Sequence, residues 1–86
     1  MANASQETLI ILRCKQVRDW TGLSRSTIYL RIQEGTFPKP VSLGARSVGW
    51  PSGEVSAINA ARIAGENDEE IRTLVAKLEA ARKTAK

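Results

Sequence analysis

Residues 21 to 38, TGLSRSTIYLRIQEGTFP, bring hydroxyls and guanidiniums together in one short stretch: Ser24, Arg25, Ser26, Thr27, Tyr29 and Arg31. Such groups hold anions and base edges. An arginine can grip a phosphate, or the O6/N7 edge of a guanine, with two parallel hydrogen bonds. A hydroxyl donates to phosphate oxygens, which fixes register without reading sequence. Lys15, Lys39 and Arg46 lie on either side of the stretch and can add phosphate contacts. Other chemistry is hard to assemble here. The chain has no histidine, so the usual general base and commonest metal ligand are missing. Its single cysteine, Cys14, excludes an intrachain disulfide framework and a multi-cysteine zinc site. With no glycine-rich phosphate loop or nucleophile elbow either, the expectation is a binding protein without enzyme activity, metal or cofactor.

The elements that must position these groups follow from punctuation and period. MANASQET has no apolar periodicity and is expected to be a flexible terminus over residues 1–8. Leu9 to Leu12 is an Ile-rich run too short for a helix, hence a strand or extended lead-in. Val17 and Trp20, three apart, give one or two amphipathic helical turns closed by Thr21 and Gly22. Ser24 suits the N-cap of a second helix running to about Glu34, with Gly35 as its left-handed C-cap. Pro38 and Pro40 then forbid helix, and VSL and VGW, separated by a short loop, read as a hairpin over about 41–50 with Arg46 at its tip. Ser52 is expected to cap a third helix with Val55, Ile58 and Ile63 on its apolar face, ending at Gly65. Asn67 and Glu70 form a capping-box pair before a fourth helix, whose apolar side holds Ile71, Leu74, Val75, Leu78 and Ala81.

Two helices joined by three or four residues including a glycine match a helix-turn-helix, and the hairpin stands where a winged variant carries its wing. At 86 residues the chain is a single small domain, expected to bury roughly 60–65% of the surface its unfolded form exposes. The net charge of +4 is unevenly placed. Between Arg13 and Trp50 seven basic residues face two acidic ones, a surplus of five, whereas the remainder is negative by one. A polyanion-binding surface has this signature. No apolar run reaches the ~20 residues that span a bilayer, and no secretory signal opens the chain, so a soluble cytoplasmic protein is expected.

TGLSRSTIY, EGTFPKPVSLGARSVGW and EVSAI resemble the AlpA family of small phage- and prophage-linked DNA-binding proteins, over about Leu9 to Ile63. The resemblance implies a mainly α, MerR-like winged helix-turn-helix with a small β-hairpin. It also implies a transcriptional regulator, or an excisionase-like directionality factor that works with an integrase. Residues 9–65 would form the DNA-binding domain and 66–86 a helical extension beyond it.

In that setting the second helix enters the major groove. With Ile28 and Ile32 facing the core, Ser26, Thr27, Leu30 and Gln33 face outward. Arg25, Ser26, Thr27, Tyr29 and Arg31 are the candidate contacts on the helix, Arg46 on the wing, and Lys15 and Lys39 on phosphates. Ser24 is assigned to capping alone, and Trp20 and Trp50 to the core. One departure concerns YLRI, where members of the family run Tyr-Arg-Leu or Tyr-Arg-Met. Leu30 therefore falls on the outer face, where it contacts a thymine methyl, is covered by another element, or marks a rotated helix. The C-terminal stripe, continued to Ala85, is expected to pack on its own domain, over Leu30 among other residues; self-association is the alternative. A rival to DNA binding is an adaptor that uses the exposed helix and the tail to hold an integrase or another protein.

Overall fold

The computed structural model describes residues 10–84. The expected flexible terminus 1–8, Leu9 and Ala85 lie outside the described residues. The order is β1 (Ile11–Leu12), α1 (Cys14–Thr21), α2 (Arg25–Glu34), β2 (Val41–Gly44), β3 (Ser47–Pro51), α3 (Ser52–Ile63) and α4 (Asp68–Ala81), with a 3-10 turn at Arg82–Thr84. It is a mainly helical fold with a small antiparallel sheet, compatible with a winged helix-turn-helix.

Local chemistry explains each boundary. Thr21 Oγ1 donates to the Val17 carbonyl and accepts from the Leu23 amide, while Gly22, at φ 74°, donates to the Arg18 carbonyl. The chain thus turns within three residues into Ser24, whose Oγ accepts from the Thr27 amide at 3.2 Å. Gly35, at φ 83°, ends α2. At the far end of the chain Asn67 and Glu70 exchange side-chain and main-chain hydrogen bonds at 2.9 and 2.8 Å, with Asp68 and Glu69 beside them at the positive end of α4.

The sheet has order β1–β3–β2, so the extended lead-in is a third strand beside the hairpin: Ile11 pairs with Pro51 and Leu12 with Trp50. Between β2 and β3 the ladder slips by one residue between Ser42 and Gly44, which inserts an extra residue on β2. Leu12, Val17, Ile28, Phe37, Trp50, Val55, Ile58, Ala61, Ile71 and Val75 make one continuous core. Trp50 lies at its centre, its Nε1 donating to the Pro38 carbonyl at 2.9 Å and its ring meeting Phe37 edge-on.

Several expectations need correction. Trp20 is 47% exposed rather than core. The eight-residue α1 buries only Val17, and the aromatic bulk comes from Trp50 and from Phe37, a buried residue of the proline-rich connection between α2 and β2. Ile63 is 86% exposed. It stands five residues from Ile58, about 140° away at 100° per residue, and Ala61 takes the inward place. Ser52 is the first helical residue and not the cap; that position belongs to Pro51, and the Ser52 amide donates to the Ile10 carbonyl. The C-terminal stripe does pack on its own domain through Ile71 and Val75. It leaves Leu30 uncovered, and Ala81 is exposed.

Candidate nucleic-acid interface

On α2, Ile28 is fully buried and Ile32 half-buried. The helix is therefore not rotated from its expected phase, and Ser26, Leu30 and Gln33 occupy the exposed side opposite Ile28. At the start of the helix, Arg25, Ser24, Ser26 and Tyr29 line an open depression of about 580 Å³. Ser24 Oγ donates to Thr27 Oγ1 at 2.9 Å and lies 3.3 Å from Ser26 Oγ. Because Thr27 Oγ1 accepts that bond, its own proton stays available for an anion. Thr27 is nevertheless half-buried, at the side of the face rather than on its crest.

Arg25 is exposed but not loose. Its guanidinium carbon sits 5.2 Å from the centroid of the Tyr29 ring, within cation–π range. Tyr29 in turn meets Trp50 edge-on, with centroids 6.2 Å apart. A chain of ring contacts thus runs from the core tryptophan to a surface guanidinium. Sequence reasoning placed Tyr29 as a hydroxyl donor and missed the ring's support of Arg25. The i, i+4 spacing of the pair was the available signal.

Arg46 is exposed at the hairpin tip and adopts φ 65°, alone among the described non-glycine residues in having positive φ. Lys15 is exposed on α1, and Arg31 is half-buried near the end of α2. Lys39 lies apart from the α2 crest, in the connection to β2. Its amide donates to Glu79 Oε2 at 2.8 Å and its carbonyl accepts from the Arg82 guanidinium at 2.6 Å, while its side chain is exposed.

The ion pairs divide the charges into two sets. Arg62 pairs with Asp68, Arg72 with Glu69, and Arg82 with Glu54 in a two-pronged contact at 2.6 and 2.8 Å. The Glu54 hydrogen bond and charge, with a smaller contribution from Glu79, raise the Arg82 pKa above its ordinary value against the opposing effect of burial. All three cations come from the C-terminal part. Among the described residues, none of Arg13, Lys15, Arg18, Arg25, Arg31, Lys39 and Arg46 forms an ion pair. Arg13 donates from Nε to the Val48 carbonyl, which lays it along β3. The segment with surplus positive charge thus keeps its cations without carboxylate partners, and Lys15, Arg18, Arg25, Lys39 and Arg46 are exposed.

A family model described as "Prophage CP4-57 regulatory protein (AlpA)" matches residues 10–62. The chain belongs to the AlpA family. It is also similar to the "Uncharacterized protein ORF88" of Enterobacteria phage P4, with 54% identity over 54 residues, 63% of this chain and 61% of that protein. The chain thus spans 61% of the length of the curated relative it matches. No solved structure matches it. The AlpA match takes in α1, α2, the sheet and all but the last residue of α3, while α4 lies beyond it. No helix among the described residues is long and apolar enough to cross a membrane.

Proposed function

We propose that this AlpA-family chain is a sequence-specific double-stranded DNA-binding regulator that sets α2 in the major groove and the Arg46 hairpin on the neighbouring backbone or minor groove. The observation that carries the reading is the set of unneutralised cations around an exposed helix crest. Arg62, Arg72 and Arg82, by contrast, each meet a carboxylate. Arg25, held on Tyr29, is the candidate for a base edge. Ser26, Thr27, Tyr29, Arg31, Lys15 and Lys39 are candidates for positioning on phosphates and edges. A regulatory role at a promoter and an excisionase role beside an integrase both fit a small DNA-binding domain of phage origin.

Titration with duplex DNA at increasing salt tests the reading. With ~5 phosphate contacts, log affinity falls against log salt with a slope near −4.5. A flat dependence would point to an adaptor that binds protein instead. Arg25→Ala is expected to cost about 1–3 kcal/mol on the preferred sequence and to relax base preference. Arg46→Ala weakens all duplexes alike. Equal losses on every duplex for both variants would overturn the assignment of Arg25 to base readout. Fragments of the source genome bound by the protein then separate the roles: recombination junctions favour excision, promoters favour regulation.

A further inference from the structure

Leu30 is 52% exposed on the crest of α2, on the face opposite the fully buried Ile28. Neither of the structural reasons that would place a leucine there applies. The helix phase is the expected one, and α4 sends Ile71 and Val75 into the core and Arg72 to the Glu34 carbonyl, yet Leu30 stays 52% exposed. The neighbours of Leu30 on the crest are polar: Ser26 one turn before it, and Gln33 and Glu34 one turn after. A lone apolar side chain in a polar stripe offers too little area for a protein interface, whose core needs a contiguous apolar patch. It does match the apolar group that the major groove presents singly, the C5-methyl of thymine.

We infer that Leu30 is a specificity-determining residue that packs on a thymine methyl, so that the preferred site carries an A·T pair under the middle of α2. The inference rests on the DNA-binding reading and adds to it the base class read at one position. On α2, Arg25 and Arg31 flank this face without ion pairs and Glu34 is the one acidic side chain beside Leu30, a balance of two positive charges to one negative that favours a polyanion over an apolar protein surface as the occupant. Gln33, one turn further along, has an amide able to bond the N6/N7 edge of an adenine, which places a second A·T pair beside the first.

The test uses the intact protein and a pool of random-sequence duplexes, from which the tightest binders are selected. Each thymine of the selected site is then replaced in turn by deoxyuridine, which removes the methyl and nothing else. Wild type is expected to lose roughly fourfold in affinity at one thymine, about the worth of one buried methylene-sized contact. Leu30→Ala is expected to bind the thymine and deoxyuridine duplexes equally at that position. Indifference of the wild type to every replacement overturns the inference. So does a deoxyuridine penalty that persists in Leu30→Ala, or a Leu30→Ala phenotype confined to self-association. If Leu30→Ala fails to fold, the wild-type scan and Leu30→Met still decide it. Failure of the DNA reading itself looks different: the selection then yields no salt-sensitive binding at all.

Discussion

Arg46 sits in the left-handed region at a position where glycine or asparagine is the easier residue, and a non-glycine side chain there costs roughly 1 kcal/mol. Glycine would relieve that cost but adds unfolded-state freedom of similar size. Arg46→Gly is therefore expected to leave thermal stability within about 1 kcal/mol of wild type while weakening binding to every duplex. A calorimetric melt paired with a DNA titration checks both halves. A clear loss of stability would mean that the guanidinium serves the fold. Tyr29 allows a finer cut, because its hydroxyl and its ring have separate tasks. Tyr29→Phe keeps the stack under Arg25 and should weaken every duplex modestly while leaving the salt slope unchanged, because a neutral hydroxyl bound to phosphate releases no counterion. Tyr29→Leu removes the ring and should also blunt base preference, as competition between duplexes would reveal.

At the scale of elements, α4 holds more than its own hydrophobic stripe. Arg72 Nε donates to the Glu34 carbonyl at the end of α2, and Arg82 joins Glu54 of α3 to Lys39. Glu54 is only 7% exposed, so Arg82→Ala leaves a nearly buried carboxylate without its partner. The expected cost is about 2 kcal/mol, below the figure for a fully buried pair because Arg82 is partly solvated. That corresponds to a fall of roughly 10 °C in Tm for a domain of this size. Removing Glu54 and Arg82 together should cost less than removing Arg82 alone, and a double-mutant cycle reads the difference. Since the folded-state Arg82 pKa is raised, its side of the pair contributes fully at physiological pH and is lost only in strong alkali. These tertiary links were the part hidden from the sequence. Caps and turns are local, so Ser24, Gly22, Gly35 and Asn67 announced themselves by type and spacing. The Glu54–Arg82 pair spans 28 residues, and Glu79 to Lys39 spans 40; no local pattern marks either. Trp20 misled because an apolar residue at helical spacing signals an amphipathic face without saying how much of that face the core has room to cover. Leu30 was legible as an oddity, but its exposure needed the packing of α4 to be known.

On the scale of the whole molecule, the division of charge has a structural counterpart. Asp68, Glu54 and Glu79 fasten the C-terminal part to the rest, whereas the cations from Arg13 to Arg46 have no carboxylate partner among the described residues. One peptide group joins the two halves of that arrangement. The Lys39 amide and carbonyl are bracketed by Glu79 and Arg82, in the connection that sets α2 against the hairpin. Thermodynamic reciprocity then applies: if the bracket favours one setting of α2 against the hairpin, a duplex that requires the same setting must tighten the bracket in return. The Lys39 amide proton is expected to exchange with deuterated solvent more slowly once DNA is bound, although its bonding partner belongs to a helix beyond the AlpA match. Occupancy of the groove-facing surface would thus be legible as a clock at a remote backbone proton, and an unchanged exchange rate there would mean that α4 fastens the fold without sensing what the fold holds.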